Sequence, residues 1–516
     1  MGPTVRGFGL LLLIAAFVHS EKGCLLNGVC ACSKESCSPP LKPVLASDVS
    51  SKKALLYSTT ESGKRLEKQT IKMRRTSKSS GEEVIIRVNQ SELYQVIMGF
   101  GGAMTDAAAI NIDLLSKDLR EQLLQAYFGP EGIGYTFVRI PIASCDFSTR
   151  EYSYVERDGD FGLEGFALAD EDEKKIRHTK RAKAIAASDK RALRVFGSPW
   201  SAPAWMKANG RMKGGGSIRE GNQYQESYAK YLAKFADTYA GNGVPIWGMT
   251  LQNEPSTGED PDYAFQTMYM SPEMQGTFVR DFLKPALITS VASKNVALMI
   301  FDDFRPNLPE WPDKTLADPE IDAMIDGIAV HWYGDGADPD LLDTTKERHP
   351  KQFILGTEAC FTDTHGVTLG NVTRGLLYAR DIIEDLTHSV TGWVDWNMVL
   401  DLQGGPNWVQ NFADAPVIVD AEKKTFYKQP MFYAMGHFSR FMQPGANRVG
   451  ATVDGPGTMG GPQVVAVENP DGSVAVAILN ESERQISMAL TDGKRSASFL
   501  VERRSINTAI FYTQKQ

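Results

Sequence analysis

The chain has 516 residues, 42% apolar and 23% charged, with a net charge of −8. A chain of this length exceeds what one hydrophobic core usually supports, so a large domain with a smaller companion is expected. The acidic balance argues against a nucleic-acid partner, which requires a basic surface.

At the start of the chain, Arg6 precedes the apolar run Phe8 to Val18, and Val18-His19-Ser20 offers a cleavage site. The run is too short to span a bilayer, so residues 1–20 read as a secretory signal peptide. Residues 21–47 follow as a disulfide-rich element. Cys24, Cys30, Cys32 and Cys37 crowd into fourteen residues. In an oxidising compartment this reads as two disulfides, with three pairings open. A zinc knuckle is the rival reading, but the spacing supplies no His and the compartment favours disulfides. Cys145 and Cys360, far apart in sequence, read as buried thiols. Sequons at Asn89, Asn371 and Asn480 fit the secretory route.

Residues 48–95 read as short strands, among them Ala54–Tyr57 and Val84–Val88. From 96 to 445 strands alternate with helix-like segments, the pattern of a parallel α/β fold. Eight strands are expected: Val96–Gly102, Tyr135–Ile142, Leu193–Ser198, Ile246–Asn253, Val296–Asp302, Gly327–Trp332, Phe353–Glu358 and Thr391–Asn397. That arithmetic describes a (β/α)8 TIM barrel, whose active sites sit at the C-terminal ends of the strands. Within this part the basic stretch Lys174–Arg194 reads as a solvated helix face. From 446 to 516 the reading is all-β, and these strands are expected to join residues 48–95 in one β-sandwich.

Two strands share a pattern. Ile246-Trp247-Gly248-Met249-Thr250-Leu251-Gln252-Asn253-Glu254-Pro255 and Phe353-Ile354-Leu355-Gly356-Thr357-Glu358 are apolar runs that end in Glu. A single Glu in such a place is more often a strand-end cap or an ion-pair partner. Two of them at one end of a barrel point to the paired carboxylates of a glycoside hydrolase. Glu254, kept protonated, would give its proton to the leaving oxygen, and Glu358, ionised, would face the developing oxocarbenium carbon. Asn253 can donate to a sugar 2-hydroxyl. Aromatic residues gather at the same strand ends: Trp200, His331-Trp332-Tyr333, Trp393 and Trp396. Taken singly each reads as core packing; their enrichment at one end suggests sugar platforms. Arg139, inside the second strand, reads as the neutraliser of a buried carboxylate. The chemistry calls for no metal and no cofactor.

Gly99-Phe100-Gly101-Gly102-Ala103-Met104-Thr105-Asp106-Ala107, Ala143-Ser144-Cys145-Asp146-Phe147-Ser148, Ser198-Pro199-Trp200, Asn253-Glu254-Pro255-Ser256, His331-Trp332-Tyr333, Glu358-Ala359-Cys360, Asp395-Trp396-Asn397 and Gly404-Gly405-Pro406-Asn407-Trp408 together resemble glycoside hydrolase family 30. The resemblance runs in order along the whole chain. It implies a retaining β-glucosidase that hydrolyses membrane-borne glucosylceramide to glucose and ceramide. By motif position Glu254 would be the acid/base and Glu358 the nucleophile. Asp146, Trp200, Asn253, Trp396 and Asn411 would contact the glucose, and Tyr333 would line the site beside the nucleophile. It also implies the pairings Cys24–Cys30 and Cys32–Cys37, a saposin-type activator, anionic lipid, a sorting receptor and a lysosomal destination.

The loops Ser256–Tyr263 and Thr362–Gly370 depart from the family's pattern, as does Ser33-Lys34-Glu35, where a sequon is expected. These loops shape the aglycone entrance. They keep open another family 30 activity, such as a β-xylosidase or β-1,6-glucanase. A non-catalytic glycolipid carrier is the alternative of another class, against which the intact pair Glu254 and Glu358 argues.

Overall fold

The computed structural model describes residues 29–37, 41, 49, 52–75, 83–334, 336–362, 366–455 and 461–512. The leader segment 1–20 and Cys24 lie outside the described residues. Eight strands close into a parallel barrel in chain order: β1 (Gly99–Ala103), β2 (Phe137–Ile142), β3 (Arg194–Pro199), β4 (Gly248–Thr250), β5 (Ala297–Phe304), β6 (Gly327–His331), β7 (Phe353–Glu358) and β8 (Val390–Asn397). The ring shuts where β8 pairs with β1, from Gly392 opposite Gly99 to Asn397 opposite Ala103.

Strand side chains alternate between the two faces, so inward positions recur every second residue. Phe137, Phe196, Met299, Ala329, Leu355 and Val394 form a fully buried apolar layer across the barrel. One step of the alternation higher, the inward residues become Arg139, Ser198, His331, Thr357 and Trp396. An apolar plug thus supports a polar layer, and the chemistry stands on that layer. The seam at β1 is narrow: a Cβ on Gly101 would lie 2.1 Å from the backbone oxygen of Phe137. Because strand backbone has little room to shift, Gly101→Ala is expected to destabilise the fold by about 1–3 kcal/mol. A lowered thermal midpoint would show it, whereas an unchanged midpoint would mean the seam can open.

Ten of the remaining strands build a sheet that folds over a second core containing Leu56, Ile86, Val476, Leu490 and Phe499. Lys53–Thr60 pairs antiparallel with Ser505–Tyr512, and Val84–Val96 pairs with Asn447–Asp454. The start of the chain is therefore tied to its end, as expected. His437, on the helix Pro430–Ser439, joins barrel to sheet through Thr508 Oγ1 and Thr59 Oγ1, each at 2.9 Å. Burial pushes its imidazole down to about 3, so the link is neutral.

The short strand Cys30–Cys32 pairs with Thr425–Lys428. Cys32 is bonded to Cys37, Cys30 is also disulfide-bonded, and Cys145 and Cys360 are buried free thiols. Asn89 is exposed and Asn371 half-buried, the latter capping the helix Val372–Thr387. Asn480 lies inside, its Nδ2 donating to Arg484 O at 2.8 Å and Glu502 O at 2.7 Å.

The basic stretch corrects one expectation. On the helix Asp170–Ser188, Arg177 and Arg181 do face solvent, but Lys175 is fully buried. Its Nζ lies 2.9 Å from Asp106 and 3.1 Å from Asp172. Helical spacing turns this one lysine toward the barrel, where two buried carboxylates need a cation.

Candidate active site

Glu358 ends β7 as expected, with a local irregularity. The β6–β7 pairing jumps from Val330 opposite Gly356 to His331 opposite Glu358, which lets both Thr357 and Glu358 reach the interior. Glu254 differs from expectation: β4 stops at Thr250, and Glu254 lies four residues beyond it at φ 42°, ψ 58°. The left-handed turn, followed by Pro255, takes the chain off the sheet. Glu254 N donates to Asp302 O at 2.8 Å and Asn253 N to Pro199 O at 2.8 Å, so neighbouring strands still hold the loop.

The two carboxyl groups meet. Glu254, Glu358 and His331 each offer one ligand atom, and the three atoms lie within 4.8 Å of one another. Glu358 accepts from Arg139 Nη1 through Oε2 and from the Tyr333 hydroxyl through Oε1, the latter at 2.8 Å. Arg139 also donates to Asn253 Oδ1 at 2.8 Å, Asp302 Oδ2 at 3.0 Å and Ser198 Oγ at 3.1 Å. Its expected role as neutraliser is what the geometry provides. Trp200 and Trp396 stack with ring centroids 5.0 Å apart, and the guanidinium lies 4.9 Å from the first ring and 5.3 Å from the second.

Asp146 stands beside this group, its Oδ2 accepting from Asn411 Nδ2 at 3.0 Å and Asn407 Nδ2 at 3.2 Å. Of the expected site residues, Asp146, Trp200, Asn253, Glu254, Tyr333, Glu358, Trp396 and Asn411 fall into one region. Trp332 and Trp393 do not join them: they pack with Tyr378 outside the barrel wall, and Trp393 Nε1 donates to Asp381. Asp106 is likewise occupied elsewhere, by Ser148, Tyr152 and Lys175.

Two more strand-end residues, His331 and Asp302, complete the site. His331 bridges Glu254 Oε1 through Nδ1 and Asp302 Oδ1 through Nε2, both at 3.0 Å. Asp302 also accepts from Thr250 at 2.6 Å and Thr357 at 2.7 Å. Phe301 and Asp302 have φ of 76° and 56°, so β5 bulges and aims Asp302 inward out of the simple alternation. Such a bulge leaves no mark on hydrophobic periodicity. His331, by contrast, follows the simple alternation, two residues beyond the inward Ala329.

The electrostatics separate the carboxyl groups. Burial pushes Glu254 up to about 7; His331 opposes this and the charge of Glu358 adds to it. Burial alone would raise Asp302 too, but Arg139 and His331 hold it well below the usual carboxylate range. Burial works against the charge on His331, yet Glu358 and Asp302 outweigh it and lift the imidazole to about 10. His331 thus has both ring nitrogens engaged, one on the Glu254 carboxyl and one on Asp302, so it ties the two carboxyl groups into one hydrogen-bonded cluster. Asp146 is also raised by burial, to about 7, against its bond from Asn411.

The model of the glycosyl hydrolase family 30 TIM-barrel domain matches residues 97–442, and that of the family 30 β-sandwich domain matches 445–509. The lysosomal acid glucosylceramidase of Mus musculus is 40% identical over 474 residues, 90% of this chain and 89% of that protein. SrfJ from Salmonella typhimurium shares the fold with a TM-score of 0.81 at 24% identity, covering 90% of this chain and all of its own. The endo-β1,6-glucanase BT3312 superposes with a TM-score of 0.77 at 25% identity, covering 89% of this chain and 100% of that one.

Proposed function

The chain belongs to glycoside hydrolase family 30, and from that membership we propose that it cleaves glucosylceramide to glucose and ceramide with net retention. The observation that carries the mechanism is the carboxylate pair, Glu254 and Glu358, with one oxygen of each within 4.8 Å of the other. Retaining enzymes hold these groups about 5–5.5 Å apart, inverting ones about 6.5–9.5 Å, to leave room for water.

Glu358 attacks the anomeric carbon while Glu254 gives its proton to the glycosidic oxygen, and ceramide leaves. Donors from Arg139 and Tyr333 orient the Glu358 carboxyl group toward that carbon. Once Glu358 is esterified its charge is gone, and one of the influences raising Glu254 goes with it. Glu254, now a carboxylate, takes a proton from water as the water attacks the same carbon, and glucose is released. Arg139 occupies Asn253 Oδ1, so the amide presents Nδ2 as the donor for the sugar 2-hydroxyl. Asp146 and Asn411, already hydrogen-bonded to each other, bind further hydroxyls beside the stacked Trp200 and Trp396.

Covalent trapping tests the proposal. At about pH 5, a pH below the Glu254 titration, a 2-fluoro or epoxide glucose analogue should label Glu358, as located by peptide mass spectrometry. A xylose analogue labelling instead would replace the substrate and keep the mechanism. No label from any sugar would favour the carrier reading. The pH dependence has a definite sign. The acid must be protonated, so kcat/KM should be full below the folded pKa of Glu254 and fall as pH rises through about 7. A basic limb that stays put in Glu254→Gln would show that another group controls it.

The resemblance to the mouse enzyme supports a lysosomal setting reached through the secretory route. Among the described residues no helix is long and apolar enough to cross a membrane. A saposin-type activator, anionic lipid and a sorting receptor are the partners we propose for reaching membrane-borne substrate. Glycans are assigned to Asn89 and Asn371, because attachment at Asn480 would break the two hydrogen bonds that its buried amide donates.

A further inference from the structure

The loops that follow β3 and β4 are sewn together behind Glu254. Gly214, Gly215 and Gly216 donate their backbone N–H groups to Tyr263 O at 3.1 Å, Asp260 O at 2.7 Å and Gly258 O at 2.9 Å. In the other direction Thr267 N bonds Met212 O at 3.2 Å and Tyr269 N bonds Gly216 O at 3.1 Å. The approach leaves no room for side chains: a Cβ on Gly215 would meet Gly258 O at 2.4 Å, and one on Gly258 would meet Tyr269 N at 2.0 Å.

Lys207 lies under this seam, fully buried. Its Nζ donates to Met212 O at 3.0 Å and Gly214 O at 2.8 Å on its own loop, and to Thr267 O at 2.5 Å on the other. An ammonium has three donors, and all three are used. Burial pushes it down to about 7, with Glu151 opposing and Arg211 adding, so in acid it is charged. From Thr267 a hydroxyl path leads to the acid. Thr267 Oγ1 and Thr257 Oγ1 are 2.7 Å apart, and Thr257 Oγ1 also lies 2.7 Å from Glu254 O. Glu254 itself sits in a left-handed conformation that a glutamate holds only where its surroundings enforce it.

We propose that Lys207 is a positioning residue for the acid/base. By clamping the two loops it fixes the backbone of Glu254 and hence the aim of its carboxyl at the glycosidic oxygen. The inference rests on Glu254 being the acid/base.

The leaving group separates this role from plain structural support. Protonation matters for an alkoxide and hardly at all for 2,4-dinitrophenolate, which departs unaided. Lys207→Met, which keeps the chain length and removes the donors, is expected to lower kcat/KM for an alkyl β-glucoside about 10–100-fold, part of the range general acid catalysis supplies. With the dinitrophenyl glucoside the loss should be far smaller. Glu254→Gln, run in parallel, should show the same split more strongly. If Glu254→Gln shows no split, the acid/base reading fails and the proposal with it. If Glu254→Gln shows the split but Lys207→Met lowers both substrates alike, or neither, the positioning role alone is overturned. Should Lys207→Met not fold, Thr257→Val decides: it removes the hydroxyl link and spares the backbone seam, and it too must penalise the alkyl substrate selectively.

Discussion

Glu358→Gly is expected to abolish turnover of glucosylceramide, with kcat falling on the order of 10⁴-fold or more, as when a group indispensable to a covalent mechanism is removed. The loss alone would not prove the role, since Glu358 is also a buried partner of Arg139. Azide separates the two. In Glu358→Gly the missing side chain leaves space on the face where the nucleophile stood, and azide attacking there in one displacement gives the α-glucosyl azide from an activated β-glucoside. In Glu254→Ala the covalent intermediate still forms on Glu358. Azide then takes the place of the general-base-assisted water, and the product is the β-azide. Opposite anomers from the two variants would fix both assignments by stereochemistry. The same anomer from both, or no rescue in either, would sink them.

Much of this site could be read before any coordinates. Glu358 closes an unbroken apolar strand, and its neighbours Thr357 and Leu355 follow the two-residue alternation that carries them inward. Trp396 shares the parity of Val394, whereas Trp393 has the opposite parity and packs outside the wall; applying the alternation strictly would have separated them. Other features are invisible to pattern. Glu254 is carried off its strand by a left-handed turn, so a strand-end reading found the residue but not its setting. Asp302 points inward only because Phe301 and Asp302 take positive φ and insert a bulge. Lys175 sits in a run of like charges, and only the helix phase against two acidic partners reveals that it is buried. In each case the deciding information is a tertiary contact or a local backbone conformation that side-chain type does not encode.

Arg139→Met should damage stability as well as activity, and more so at neutral pH than in acid. The guanidinium is fully buried between Glu358 and Asp302, and removing it leaves two buried carboxylates with His331 as their cation. Breaking a buried pair in this way costs about 3–5 kcal/mol. The sign of the pH dependence follows from Asp302. Burial alone would raise its carboxyl, but Arg139 and His331 hold it well below the usual range. A depressed folded pKa contributes stability that is present above the unfolded value, about 3.9, and is lost as pH falls through the folded one. Without Arg139 that contribution largely disappears, and burial instead favours the protonated acid. The gap in thermal midpoint between wild type and variant should therefore be wide at pH 7 and should narrow toward pH 4.5 as the orphaned carboxyls take up protons. Arg139→Lys, which keeps the charge but loses the fork reaching Asn253 and Ser198, should recover much of the midpoint and little of kcat. A gap that is the same at both pH values would mean that packing against Trp200 and Trp396, not charge, is what the arginine contributes to the fold.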